Sequence, residues 1–310
     1  MSLLERIFAE PELRDAPPVL VDVGAAGGVH PAWRRIARFS TGVGFEPDAR
    51  EAAPLGTAQR EFKQWIFCPT LVVPAPPPDG RARLHLTRSP QCSSTLQPRT
   101  DALGAWAFAE FFEVIETRPL PAATLPDALR AQGIERIDWL KCDTQGLDLK
   151  IFLSLPTAWR ARLLAVEFEP GFIDAYEGED KVPAVLAAMA REPFWLAEMT
   201  IGRTPRRGPA AIPARWVRRF APGAPAWANL HYLRDPAAAP ESLDRRAWLL
   251  AWVFATIAGQ HGHALAIATA GAERCGKNPF AEMAASSARG LRWAMWRGGP
   301  DAVWRRLTRR

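Results

Sequence analysis

The stretch PPVLVDVGAAGGVHPAW, residues 17–33, decides how the rest of the chain reads. VLVDV is a short β-branched apolar run with Pro before it and Gly after it, the pattern of a parallel strand buried on both faces. GAAGG is a tight turn, and PAWRRIARF places Pro in the first turn of an expected helix. TGVGFEPD, 41–48, follows as a second short strand that ends in an acid and then Pro. Strand, glycine turn, helix and strand in about thirty residues make one βαβ unit.

The alternation continues outward. FKQWIF and ARLHL, between 60 and 90, read as strands, and the polar RSPQCSSTLQPR, 88–99, as an ordered loop. EVIETRPL, 113–120, is extended, and TLPDALRAQG, 124–133, carries the start and stop signals of a short helix. IDWLKC is a strand with Asp143 at its carboxyl end, and Gly146 opens a helix on which Leu147, Ile151 and Leu155 recur at spacing four. RLLAVEFEP repeats the design, KVPAVLAAMAREP is a helix, and FWLAEMTIG and AWANLHYLR are late strands. Such alternation argues an α/β doubly wound sheet. From about 237 apolar spacing is helical and strand signals stop, which divides the chain into a sheet domain, 1–236, and an all-helical C-terminal appendix, 237–310.

Composition narrows the classes. With 310 residues, 48% apolar and 23% charged, the chain is an ordinary globular sequence, neither disordered nor fibrous. The net charge of +6 includes only five Lys among 39 basic residues, a bias without the one-sided footprint of a nucleic-acid binder, so no nucleic-acid partner is expected. Cys68, Cys92, Cys142 and Cys275 show no CxxC spacing, so no zinc knuckle and no disulfide framework is expected. MSLLERIFAEPELRD has acids where a secretory signal needs an apolar core, and the longest apolar run, AWLLAWVFATIA at 247–258, is too short to span a bilayer. A reduced, cytoplasmic protein without a transmembrane segment is the expectation.

The first turn carries the binding chemistry. A glycine there lets the backbone approach a ligand closely, and a helix N-terminus beside it presents free amides. Gly24 and Gly28 are the candidates, and Glu46, 22 residues after Gly24, is placed to accept both hydroxyls of a ribose. A nucleoside-bearing cofactor is expected. Ala26 stands where a dinucleotide GxGxxG turn has its second Gly, which disfavours a pyrophosphate. Asp22, in a D-x-G arrangement, suits instead the amino group and sulfonium of S-adenosylmethionine.

VDVGAAGG, GFEPD, SPQCSST, IDWLKCDTQGLDLKIF and AVEFEPGFIDAYEGED, in that order, resemble the FkbM-type S-adenosylmethionine-dependent methyltransferases over about 17–235. The resemblance implies a class I methyltransferase fold, Rossmann-like, with seven strands of which the last is antiparallel. It also implies O-methylation of a hydroxyl on a sugar, glycan or secondary metabolite. By the same resemblance Gly24, Gly28 and Glu46 contact the cofactor and Asp143 is the acid of a K-x-D-x-x-G motif; Ala26 departs from it where many members carry Asn. Asp143 is the first candidate for acceptor base or positioner and Glu169 the second, although Asp143 also reads as the N-cap of the following helix. No metal is expected, although Glu167 and Glu169 share one side of a strand. The alternatives are an NAD(P)-binding oxidoreductase or epimerase and a non-catalytic Rossmann-like binding module; the former is disfavoured because neither Tyr176 nor Tyr232 has Lys four residues later.

Bland readings stand beside these. Ser93 and Ser94 read as turn formers, with a substrate- or cofactor-side loop as the alternative. His85 and His231 read as structural histidines. LRWAMWRGGPDAVWRRLTRR, 291–310, interleaves Trp and Arg; a packed amphipathic helix with a solvated basic face is preferred there to peripheral membrane contact.

Overall fold

The computed structural model describes residues 1–51, 60–238, 241 and 243–307, with side chains as far as 296. Backbone contacts divide it into two compact units, Pro18–Arg234 and a second formed by Met1–Pro17 together with Asp235–Arg310. The second joins the two ends of the sequence, a grouping that no linear division contains.

In Pro18–Arg234 the strands are β1 (Val19–Val23), β2 (Thr41–Phe45), β3 (Gln64–Cys68), β4 (Leu71–Val72), β5 (Arg81–Thr87), β6 (Val114–Ala123), β7 (Trp139–Cys142), β8 (Ala165–Phe168), β9 (Phe194–Thr204) and β10 (Ala224–Arg234). Seven of them form one sheet in the order β3-β2-β1-β7-β8-β10-β9, and β4, β6 and β5 form a three-stranded sheet. β3, β2, β1, β7 and β8 run parallel, while β10 runs antiparallel to both β8 and β9. This is the expected seven-stranded mixed α/β sheet with its last strand reversed.

All five residues of β1 are buried, as the continuous apolar run requires. Val19, Val21 and Val23 share a core with Leu125 and Leu129, Ile151 and Phe152, and Val182, Val185 and Met189. Those groups come from the helices Leu125–Arg130, Asp148–Ser154 and Val182–Met189. Thr124 caps the first of them, accepting from the Asp127 amide, as its start signal predicts.

Alternation sends the other side chains to the opposite face. There Asp22, Lys141, Glu167 and His231 stand in register across β1, β7, β8 and β10. Lys141 Nζ donates to Asp22 Oδ1 at 2.8 Å. Trp139 Nε1 donates to Glu167 Oε1 at 2.7 Å, and His30 Nε2 lies 3.2 Å from Glu167 Oε2. Burial opposes the charge on Lys141, but Asp22 and then Asp143 outweigh it and hold the ammonium above its usual range. His231 stacks on Trp139 at 5.1 Å, and burial lowers its pKa, in keeping with a structural role.

One expected element is replaced. PAWRRIARF forms two 3-10 turns, Trp33–Arg35 and Ala37–Phe39, instead of a helix. Trp33, Ile36 and Ala37 are fully buried. Only a few residues separate Pro31 from β2, and 3-10 geometry, at about 2.0 Å per residue against about 1.5 Å, lets that short piece reach farther.

In the second unit the helices Arg245–Ile257, His261–Cys275 and Phe280–Leu307 follow one another. Trp252 Nε1 donates to Ser287 Oγ at 2.8 Å, and the Phe280 ring lies on Gly271, where a Cβ would stand 2.5 Å from it. Arg245 binds Glu10 at 2.7 Å, tying the short N-terminal helices into the same unit. The Arg/Trp tail continues the helix Phe280–Leu307, with Trp293, Met295 and Trp296 exposed; the side chains from 297 onward, on which the reading of the tail turns, lie outside the described residues. Among the described residues no helix is long and apolar enough to cross a membrane.

Removing one partner of a buried ion pair strands the other. Lys141→Met should therefore lower unfolding free energy by about 3–5 kcal/mol, and adding Asp22→Leu should restore most of it. Urea midpoints check this; a single-variant loss below about 1 kcal/mol would exclude the pair as a structural support.

Candidate active site

The carboxyl ends of β1, β2, β7 and β8 meet at one edge of the sheet, where a cavity of about 450 Å³ opens. Val23, Gly24, Ala26, Glu46, Asp143 and Glu169 all contribute to its lining.

Gly24 adopts φ +83°, a left-handed conformation that a side chain would strain. A Cβ there would stand 2.0 Å from the Asp143 carbonyl oxygen. The Asp143 amide donates to Val23 O at 2.9 Å, and the Gly24 and Ala25 amides both donate to Phe45 O at 3.0 Å. Gly24 therefore lets the ends of β1, β2 and β7 touch. Its own amide is used within the protein and is not free for a ligand, and with no helix formed at Pro31 no helix N-terminus supplies others.

Two residues expected as contacts stand outside the described lining. Gly28, at φ +96°, belongs to the turn and does not line the cavity. Asp22 is buried in its bond to Lys141 and is also absent from the lining, because alternation along β1 turns it to the opposite face. Glu46 is buried at the rim, with Oε1 accepting from the Asp48 amide at 2.8 Å. Burial raises its pKa to about 7.

Asp143 and Glu169 are brought together. Burial first, then the Asp143 charge and a hydrogen bond to it, raise Glu169 to about 9, so the pair holds a proton between its carboxyls. Asp143 does not cap the next helix, which begins at Asp148 with Leu147 at its N-cap position and no side-chain cap. Asp148 instead binds the two neighbouring loops. Its Oδ1 accepts from the Thr144 amide at 2.8 Å and hydroxyl at 2.6 Å, and its Oδ2 from the Glu169 amide at 2.9 Å. Burial and then Asp143 raise its pKa to about 6. One buried carboxylate thus staples the loops that follow β7 and β8.

Gln145 holds Asp143 from the other side, Nε2 donating to Oδ1 at 2.7 Å. It sits at φ +57°, a region that non-glycine residues otherwise avoid. Ser94 Oγ fixes that backbone by donating to Gln145 O at 2.8 Å, and Tyr176 Oη reaches Gln145 Oε1 at 3.1 Å and Cys92 O at 2.8 Å. Arg50 clamps the turn after β2 to the 88–99 loop, binding Asp48 and donating to Thr87 O at 2.9 Å and Ser93 Oγ at 3.2 Å. Ser93 and Ser94 thus act as fasteners of the loop. Gln145, Asp148, Tyr176 and Arg50 escape a reading of the sequence; the closeness of Asp143 and Asp148 in D-T-Q-G-L-D is the available signal.

The rest of the lining has two characters. Among the described residues it holds five acids, Glu46, Asp48, Asp143, Glu169 and Glu179, and no Lys or Arg. Farther along it is aromatic: Phe108 and Trp227 stack at 6.4 Å and 13°, with Phe111 and Phe112 beside them. Glu167 lies outside the lining, and among the described residues no group of three His, Cys, Asp or Glu could hold a metal ion.

The strand order and the acid-lined cavity at the carboxyl edge define a sheet of the class I methyltransferase type. Residues 22–194 match the methyltransferase FkbM domain, and the chain belongs to that family. No curated protein matches the chain.

A group whose pKa is raised by folding stabilises the fold below its unfolded value, and that contribution is lost as pH climbs toward the folded value. For Glu169 the window runs from 4.5 to about 9. Glu169→Gln, permanently neutral, should match the parent in stability near the lower end and exceed it by roughly 1–3 kcal/mol near the upper end. Denaturant midpoints across that range test the sign; a constant difference would contradict a held proton.

Proposed function

We propose that the chain is an S-adenosylmethionine-dependent O-methyltransferase that acts in the cytoplasm on a hydroxyl of a small molecule or glycan. The carrying observation is the cavity lining, which among the described residues holds five acids and no Lys or Arg. A pyrophosphate would find no cationic side chain of the described lining to bind it there, whereas a sulfonium and an ammonium suit the acids. This argues against the NAD(P) reading more strongly than the turn sequence does.

The residues present fit such a ligand. Glu46 has one oxygen on the Asp48 amide and can offer the other to a ribose diol. Gly24 and Ala26 form the floor of the turn beside it. Gly28 and Asp22 are not proposed as contacts. Phe108, Phe111 and Trp227 offer flat apolar faces to the acceptor, whose hydroxyl would point toward Asp143.

When bound, S-adenosylmethionine supplies a methyl group already activated by its sulfonium. Asp143 accepts the acceptor's O–H hydrogen bond and so orients an oxygen lone pair. Gln145 holds one carboxylate oxygen, and Glu169 shares its proton with the same group, so Asp143 is fixed in place. An oxygen gaining a third bond becomes strongly acidic, so a carboxylate of modest basicity is enough to take the proton as the new bond forms.

Asp143→Asn should reduce labelled-methyl transfer by about 10²–10⁴-fold while calorimetric cofactor affinity stays nearly unchanged; full turnover would remove Asp143 from the chemistry. Glu46→Ala should weaken S-adenosylmethionine binding at least about tenfold, which is about 1.4 kcal/mol. Because Glu46 titrates near 7, affinity of the parent should fall as pH drops through that value, since the protonated acid accepts one bond fewer. A pH-independent affinity, also unchanged in Glu46→Ala, would refute the assignment.

A further inference from the structure

Between Glu198 and Asp235 the sequence contains no acidic residue and seven Arg. This is the segment of the β9–β10 hairpin and the short helix Ala214–Phe220 between its strands. Trp216 and Phe220, four apart on that helix, are 50% and 66% exposed, and their rings stack at 5.5 Å and 18°. Ile212, just before the helix, is 49% exposed.

The helix itself is firmly seated. Val217 is buried, and Arg218 donates to Ala107 O at 2.8 Å and binds Glu110 at 2.7 Å. The aromatic face is therefore presented to solvent on a fixed support. Around it Arg203, Arg206, Arg207, Arg215 and Arg219 are exposed, and among the described residues none of the five has a carboxylate partner.

We propose that this element docks the protein on an anionic phospholipid surface. Trp216, Phe220 and Ile212 enter the headgroup boundary, and the five guanidinium groups meet headgroup phosphates. Charge complementarity selects the partner: Arg without a carboxylate partner, even where it donates to a carbonyl as Arg203 does or lies over a ring as Arg206 and Arg219 do, can still recognise phosphate, and Trp prefers the membrane interface. The exposed Ile212 has no use against a nucleic acid, whereas a bilayer accepts it. The patch adjoins the cavity, because Arg218 lies 4.7 Å over the ring of the cavity-lining Phe111. Docking would bring the acceptor side of the cavity close to the lipid. This inference is independent of which methyl donor or acceptor the cavity takes.

The test is co-sedimentation of full-length protein with vesicles of phosphatidylcholine alone and of an equal mixture with phosphatidylglycerol. The parent should bind the mixture, release with added salt, and not bind phosphatidylcholine alone. Trp216→Ser with Phe220→Ser should lower partition into the mixture at least about tenfold, and Arg215→Glu with Arg219→Glu should do likewise. These residues are exposed, so thermal melting and cofactor binding should be unchanged. Trp293→Ser with Trp296→Ser, on the C-terminal helix, should bind within about twofold of the parent. The proposal is overturned if the parent ignores the mixed vesicles, if the Trp216/Phe220 variant binds as the parent does, if only the Trp293/Trp296 variant loses binding, or if ultracentrifugation shows the Trp216 face closing a dimer.

Discussion

A side chain on Gly24 would occupy the space of the Asp143 carbonyl, so β1 and β7 can bring their ends together only where that side chain is missing. Everything at the carboxyl edge follows from this approach. Asp143 is held by its amide on Val23, Phe45 receives two amides from the turn, and Glu46 is delivered to the rim one residue later. Glycine here serves contact between strands more than contact with a ligand.

Once these ends meet, five carboxyl groups face one cavity, and the protein manages the repulsion among acids at this edge in three ways. Glu169 keeps a proton against Asp143. Asp148, behind the lining, collects three hydrogen bonds and thereby locks two loops. Asp48 is neutralised by Arg50, which also draws the 88–99 loop inward. The last two devices engage or neutralise an acid while fixing a loop, so there the electrostatics and the shape of the site have the same origin.

The sheet is readable because its strands are continuous apolar runs between Pro and Gly, and alternation with helices leaves few possible topologies. VLVDV, WLKC and AVEF all become neighbours as their spacing implies. Gly24, Glu46, Asp143 and Glu169 are also legible, since strand ends in such sheets meet at one edge. The rest is not. The identity of Asp22 suggests cofactor contact, but its face is set by the pleat, and its partner Lys141 lies 119 residues away. Trp33 and Ile36 satisfy helical spacing and 3-10 turns alike, so the missing helix leaves no trace in the pattern. Gln145 and Tyr176 act through contacts between loops, which periodicity does not describe. The first seventeen residues give no sign that they group with the C-terminal helices.

The row of Asp22, Lys141, Glu167 and His231 has a consequence for assembly of the sheet. Apolar strands such as β1 and β7 carry little information about how far one should slide along the next, because Val against Leu packs nearly as well one step away. A slip by a single position would swing one member of the row to the far side, among the valines and leucines, and leave an unmatched charge in oil. The four groups therefore work as the teeth of a key: they accept one alignment of the central strands and make every neighbouring alignment costly.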